Sequence, residues 1–249
     1  MTAGLRKTAA LLALAVMFTG CSAPAESESG AALPDVVGSM DIRYAEQFSV
    51  DYLADGSALA EVADGRRYLI IPDGGEVPEQ LPEDVTVISQ PENIYLASSS
   101  SMDLFSSLDC LGDILASSTP ESGWKLPEIA QAMADEDILY AGKYSSPDIE
   151  LLMSEGCDLA IENMMIYHSP KTAEQIESCG IPVFIERSSA ESHPLGRLEW
   201  VRLYGLMLGK SDEAEKFFSE KCSLLDEVTS RESTGCTAAF FYISSNGSA

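Results

Sequence analysis

Basic residues are scarce in this chain: 15 Lys and Arg stand against 40 Asp and Glu, for a formal charge of -25 over 249 residues. A protein that neutralises phosphates needs a basic footprint, so this balance excludes nucleic acid as a partner, while a basic docking protein or a cationic ligand stays compatible with it. Histidine is scarcer still. Only His168 and His193 occur, so a three-histidine zinc or manganese centre cannot be assembled from this chain. There is no Gly-x-Ser-x-Gly elbow, no phosphate-binding loop and no metal-spaced histidine pair, which leaves an enzyme without its usual machinery and argues for a non-enzymatic role. Cys110, Cys157, Cys179, Cys222 and Cys236 follow no zinc spacing, and five cannot all pair with one another. Long apolar runs are also lacking: Thr8 to Phe18 is the longest, and it is too short to span as a mature transmembrane helix.

That run belongs to an address. Arg6 and Lys7 precede it, Phe18-Thr19-Gly20-Cys21 ends it, and a Ser/Ala/Glu/Pro stretch follows. Small residues before a cysteine, where the apolar segment stops, resemble a bacterial lipobox. The implied chemistry is removal of residues 1–20 and lipidation of Cys21, with residues 21–40 as a flexible tether. An ordinary signal peptide cleaved nearby, with Cys21 incidental, is the alternative. Either processing places the protein outside the cytoplasm; lipidation would also anchor it to a membrane.

From residue 41 the pattern is α/β. Ile42 to Ala63 alternates like antiparallel strands around Asp55-Gly56, and Asp64-Gly65 leads into Arg67 to Ile71, as hairpin turns do. Strands at Val85–Ser89, Ile138–Ala141, Cys157–Ile161 and Ile181–Ile185 then alternate with helices at Met102–Leu115, Pro127–Ala134, Asp148–Ser154 and Lys171–Ser178. Such alternation predicts a mainly parallel sheet with added antiparallel hairpins, here over residues 41–189. Residues 190–232 read as a long helix region. Pro194 sits in its first turn, its apolar residues point in nearly every direction, and Gly209-Lys210-Ser211 breaks it. Residues 233–249 read as the first strand, Thr237 to Ile243, of a second lobe that stops there, a C-terminal truncation.

Ligands of parallel sheets sit beyond the carboxyl ends of strands. Three strand ends deliver polar loops: Lys143-Tyr144, Glu162-Asn163 and Arg187-Ser188-Ser189. They are expected to converge beside Glu191, His193 and Arg197 at the start of the long helix. Arg187 and Arg197 suit anionic groups, because a guanidinium is planar and always charged. Arg197 equally suits a pairing with Glu191 or Glu162 that would only fasten the loop. Tyr144 fits a ligand wall, with ordinary packing as the alternative. His193 fits a helix-entry residue more readily than a haem ligand. No metal site is expected.

The stretches Ala141-Gly-Lys-Tyr-Ser-Ser-Pro-Asp148, Asp158-Leu-Ala-Ile-Glu-Asn163, Gly180-Ile-Pro-Val183 and Ser188-Ser-Ala-Glu-Ser-His-Pro-Leu-Gly-Arg-Leu-Glu-Trp200 resemble the substrate-binding lipoproteins of ABC importers for iron–siderophore complexes, haem and cobalamin. The resemblance implies two α/β lobes joined by a long helix and a cleft between them. It implies capture of a ferric siderophore-like complex, with Tyr144, Glu162, Asn163, Arg187, Ser188, Glu191, His193 and Arg197 as ligand-binding candidates. No protein-bound cofactor is implied beyond the iron chelate carried as ligand. It also implies delivery to a membrane permease with its ATPase, and it marks Glu150, in Pro147-Asp-Ile-Glu-Leu-Leu152, as the docking acid. Haem or cobalamin binding by the same fold, or a surface interaction lipoprotein without transport, are the other readings.

Overall fold

The computed structural model describes residues 33–237; the predicted leader, Cys21 and most of the predicted last strand lie outside the described residues. The first sheet is β1 (Val36–Ser39), β2 (Phe48–Leu53), β3 (Ala58–Val62), β4 (Arg67–Ile71) and β5 (Val85–Ser89), in that order. Its first four strands are antiparallel, and β4 pairs β5 in parallel. The β2–β3 and β3–β4 turns use Gly56 and Gly65 at positive φ, as the Asp-Gly signals require. Strand β1 lies inside the segment read as tether. It pairs with β2 although Val36 and Val37 stay exposed.

The second sheet is wholly parallel, in the order β12-β11-β6-β7-β8. Its strands are β6 (Ile94–Leu96), β7 (Ile114–Ser117), β8 (Leu139–Tyr140), β11 (Leu159–Asn163) and β12 (Val183–Glu186). Strands β9 (Gly142–Lys143) and β10 (Ser146–Pro147) make a short hairpin after β8, in a stretch read as loop. The central strand β6 has no counterpart in the sequence reading. At three residues it is too short to show a period. Strand β7 also replaces the end of a predicted helix. Helix α1 (Met102–Ser107) stops early because Asp109 takes φ 58, and a 3-10 turn at Leu111–Asp113 turns the chain into β7.

The remaining helices are α2 (Pro127–Ala134), α3 (Ile149–Ser154), α4 (Pro170–Ser178), α5 (Pro194–Met207) and α6 (Ser211–Ser230). Alternation along the parallel strands sorts them. Ile94, Leu96, Leu159, Ile161 and Phe184 face a core shared with the first sheet, α1, α2, α5 and α6. Tyr95, Ala97, Ala160, Val183 and Ile185 face a second core under α3 and α4. A third cluster, centred on Leu53, Leu69 and Ile71, occupies the other face of the first sheet.

Helix α5 is covered nearly all round, as its apolar pattern predicts. Trp200, Val201, Leu203 and Tyr204 are wholly buried, and aromatic contacts link Trp200 to Phe48 and Phe184. Gly205 lets α6 approach: a Cβ there would overlap Ala214 and come within 2.8 Å of the Lys210 carbonyl. Gly209, at φ 66, breaks the rod between α5 and α6. Among the described residues no helix is long and apolar enough to cross a membrane.

Candidate functional site

The second sheet reverses its strand order between β6 and β11, and a crevice beyond the carboxyl ends of strands at such a point is where open α/β sheets hold ligands. Here that end is tied shut. The backbone N–H groups of Ala97 and Ser98 both donate to the Ile161 carbonyl, at 2.9 and 3.2 Å. The Asn163 amide donates to the Ala97 carbonyl at 3.2 Å, and the Ser118 hydroxyl donates to the same oxygen at 3.0 Å. Asn163 also accepts from Met165 N–H, capping the 3-10 turn Met164–His168.

The serine run after β6 turns inward. Ser98 donates to the buried Glu186 carboxylate at 2.8 Å, Ser188 N–H donates to its other oxygen at 2.6 Å, and Ser101 shares a hydrogen bond with Tyr204 at 2.9 Å. This network floors a cleft of about 270 Å³ lined by Ser100, Asp103, Leu104, Ser188, Ser189, Arg197 and Leu198. Arg197 is exposed and held by two backbone carbonyls, Glu191 at 3.3 Å and Ser189 at 3.4 Å, and among the described residues it forms no ion pair. About one and a half turns further along α5 the contrast is plain. Arg202 pairs with Glu199 at 3.1 Å and Glu215 at 2.7 Å. Asp103 stands in the same lining as Arg197, so the cleft carries both signs.

Arg187 takes another direction. Its guanidinium donates to Gln47 at 3.1 Å and to the Tyr167 hydroxyl at 3.0 Å and lies over the Tyr167 ring, while Tyr167 donates to Asp64 at 2.6 Å. Tyr167 is exposed beside it, and Met165, two residues earlier in the same 3-10 turn, is exposed as well. His193 is the N-cap of α5: its Nδ1 accepts from Leu195 N–H at 3.1 Å and its ring stacks on Tyr44.

Glu191 is not a wall of the cleft. It is 2% exposed and accepts from Glu46 N–H, Gln47 N–H and the Trp200 indole N–H at 2.8 to 3.0 Å. Glu199, which sequence reasoning passed over, does the same for Arg43, Tyr44 and Ala45 N–H. Two carboxylates at the start of α5 thus hold the loop before β2 by five backbone donors, and Arg197 is left out of any pairing with Glu191's side chain. Gly196 completes the join, since a Cβ there would meet the Tyr44 carbonyl at 2.8 Å.

Glu162 is likewise removed from any ligand. β11 runs two residues further than predicted, so Glu162 is a strand residue, fully buried, with neither oxygen hydrogen-bonded. Burial pushes its carboxyl up to about 8. Tyr144 packs into the core under α3 and α4, and its loop is tied to α4 by Thr172 donating to the Ser145 carbonyl. It follows β8, four strand steps and ~19 Å from β12 across the sheet. The expected convergence therefore splits. Asn163 bonds to Ala97 and Arg197 shares a cleft lining with Ser100, whereas Tyr144 packs on the face covered by α3 and α4. Glu150 is exposed in the first turn of α3, whose N-cap is Asp148. Ser189 comes from the predicted loop Arg187-Ser188-Ser189, whereas Ser100, Asp103, Leu104 and Leu198 were not among the predicted residues; for Ser100 the run Ser98–Ser101 was the sequence signal.

No family model matches the chain. An uncharacterized lipoprotein of Methanocaldococcus jannaschii is 23% identical over 173 residues, covering 64% of this chain and 40% of the relative. Among solved structures, a periplasmic heme-binding protein from Pseudomonas aeruginosa gives a TM-score of 0.45 at 18% identity, over 56% of this chain and 46% of that one. A petrobactin-binding protein from Bacillus subtilis gives 0.47 at 12%, over 69% and 52%. A periplasmic heme-binding protein of Vibrio cholerae gives 0.46 at 15%, over 57% and 51%. The chain thus spans about half the length of these solved structures and 40% of the curated relative it matches.

Proposed function

We propose that this chain supplies one wall of the ligand cleft of an extracytoplasmic substrate-binding lipoprotein, anchored at Cys21, that captures an anionic iron chelate of the ferric siderophore type for an ABC importer. The observation that carries the reading is Arg197, a guanidinium without a carboxylate partner among the described residues, in a cleft at the carboxyl edge of a parallel sheet. In a chain so rich in acids, an arginine left unpaired beside a cleft is available for an anion. The cleft volume falls just below the usual range of small-molecule sites, which suits one wall of a larger site rather than a complete pocket. Ser100, Ser189 and Arg197 supply polar contacts, Leu104 and Leu198 an apolar one, and the Glu186 network fixes the floor.

A haem-type ligand is the second reading. It is favoured by Met165 and Tyr167, exposed in the 3-10 turn after β11, which offer an apolar rim with the Arg187 cation over the Tyr167 ring. His193 is engaged as a cap and takes no part in either reading.

Titration with ferric siderophores, haem and cobalamin, followed by quenching of Trp124 and Trp200, tests both. Arg197→Ala is expected to weaken binding of a ferric siderophore at least tenfold, which corresponds to about 1.4 kcal/mol. Its unfolding stability is expected to stay within about 0.5 kcal/mol of the parent, as for a surface substitution. Unchanged affinity in the variant removes Arg197 from the site, and quenching by haem alone selects the second reading.

A further inference from the structure

Glu162 takes no part in the cleft or in the network that floors it. Register places Ala160 beside Tyr95, so Glu162, two residues on, shares Tyr95's face of the sheet. Both Glu162 oxygens and the Tyr95 hydroxyl are buried and unpartnered, three orphan polar atoms on the two strands that flank the order reversal. Their surroundings on that face are small and apolar: Ala97, Ala160, Val183 and Ile185 from the sheet, Leu152 from α3, Ile166 from the 3-10 turn, and Ala173 and Ile176 from α4. Cys157, at the entry to β11, and Tyr140, on β8, act on Tyr95, as does the nearby Ser118 hydroxyl, whose proton goes to the Ala97 carbonyl. No basic group faces the Glu162–Tyr95 pair among the described residues, and burial is the only cause acting on the Glu162 carboxyl. The residue after Glu162 is Asn163, whose amide bonds to the Ala97 carbonyl and helps tie β11 to the end of β6.

An ionised carboxylate without partners in such a place is strongly disfavoured, whereas the neutral acid is disfavoured much less. We propose that Glu162 is a proton-operated latch: neutral, it lets the carboxyl ends of β6 and β11 close over the crevice, and its ionisation loosens them. The latch does not depend on what the cleft binds. The direction of the pH effect follows from linkage. A carboxyl whose folded value is raised from 4.5 to about 8 is held protonated by the folded state. Its contribution to folding is therefore complete at acid pH and declines as pH rises through the window between those values, with no further change above it.

Urea unfolding of the parent and of Glu162→Gln, followed by tryptophan fluorescence at pH 5.5 to 8.5, gives the first test. The parent's folding equilibrium constant is expected to fall, relative to the variant, by roughly tenfold per pH unit up to about pH 8. Parallel profiles overturn the proposal. Amide exchange at Ala97 and Ser98, whose N–H groups donate to Ile161, gives the second. After correction for intrinsic base catalysis, their protection is expected to drop between pH 7 and 8.5 in the parent and to stay level in the variant. Equal protection in both proteins also overturns it. Should Glu162→Gln not fold, infrared spectra of the parent decide. A carboxylic-acid band persisting at pH 7 and gone by pH 9 supports the latch, and its absence at pH 7 refutes it. Ligand titration plays no part in these readouts, so failure of the binding reading leaves the latch standing, and the reverse.

Discussion

Three glutamates show how differently carboxylates can be used within one chain. Glu191 and Glu199 are buried but satisfied, each accepting backbone N–H groups of the loop that leads into β2, and Glu199 pairs with Arg202 as well. Removing one partner of such a set strands the others without water. Glu199→Ala is therefore expected to lower stability by about 3 kcal/mol or more, read as a shift in the urea midpoint. Glu162 is buried and unsatisfied, and replacing it with a neutral isostere is expected to stabilise the protein near pH 8 rather than weaken it. A sequence shows the residue type in all three cases and not the partners. The backbone donors of Glu191 and Glu199 come from residues more than a hundred positions earlier, which no local pattern announces.

At the scale of elements, the helix pair α5–α6 is set by small residues. Gly205 sits where the helices touch, so Gly205→Ala is expected to cost about 1–3 kcal/mol by overpacking, measured by thermal or urea unfolding. Gly209→Ala is expected to cost about 1 kcal/mol because its backbone lies in the left-handed region. Much of this layer was legible. Asp-Gly turns announced the first sheet, Pro194 announced the start of α5, and apolar residues on every side announced its burial. What was not legible is instructive. β6 lies at the middle of the parallel sheet, yet its three residues carry no period, and its strand character comes from the neighbours on both sides. The run from Met102 to Leu115 kept a helical look past Ser107, and only the turn at Asp109 and the demand for a strand beside β6 end it. The loop Arg187-Ser188-Ser189 does follow the carboxyl end of β12, whereas Glu162 and Asn163 belong to β11 itself and Lys143 to the hairpin after β8. Strand order then separated Tyr144 from the others, and strand order is not written in periodicity.

For the molecule as a whole, the heavily acidic surface bears on partners more than on fold. Under the importer reading, Glu150, exposed on the first turn of α3, meets a basic residue of the permease. Glu150→Lys is expected to lower uptake in cells while leaving ligand affinity in solution unchanged, and equal uptake would remove the docking role. The two faces of the second sheet divide the work in this reading: α5 and the cleft on one side, α3 with Glu150 on the other.

The order β12-β11-β6-β7-β8 also sets a timetable. When β6 leaves the ribosome, its neighbour β7 follows soon, but the partner on its other edge, β11, is still more than sixty residues away. The middle of the sheet must wait, half made, until that stretch has been threaded. Contacts of such separation close late and slowly in folding. The crevice at the centre of the sheet is consequently among the last parts to assemble, and it is the region where an arrested chain would expose unpaired strand edge to its neighbours.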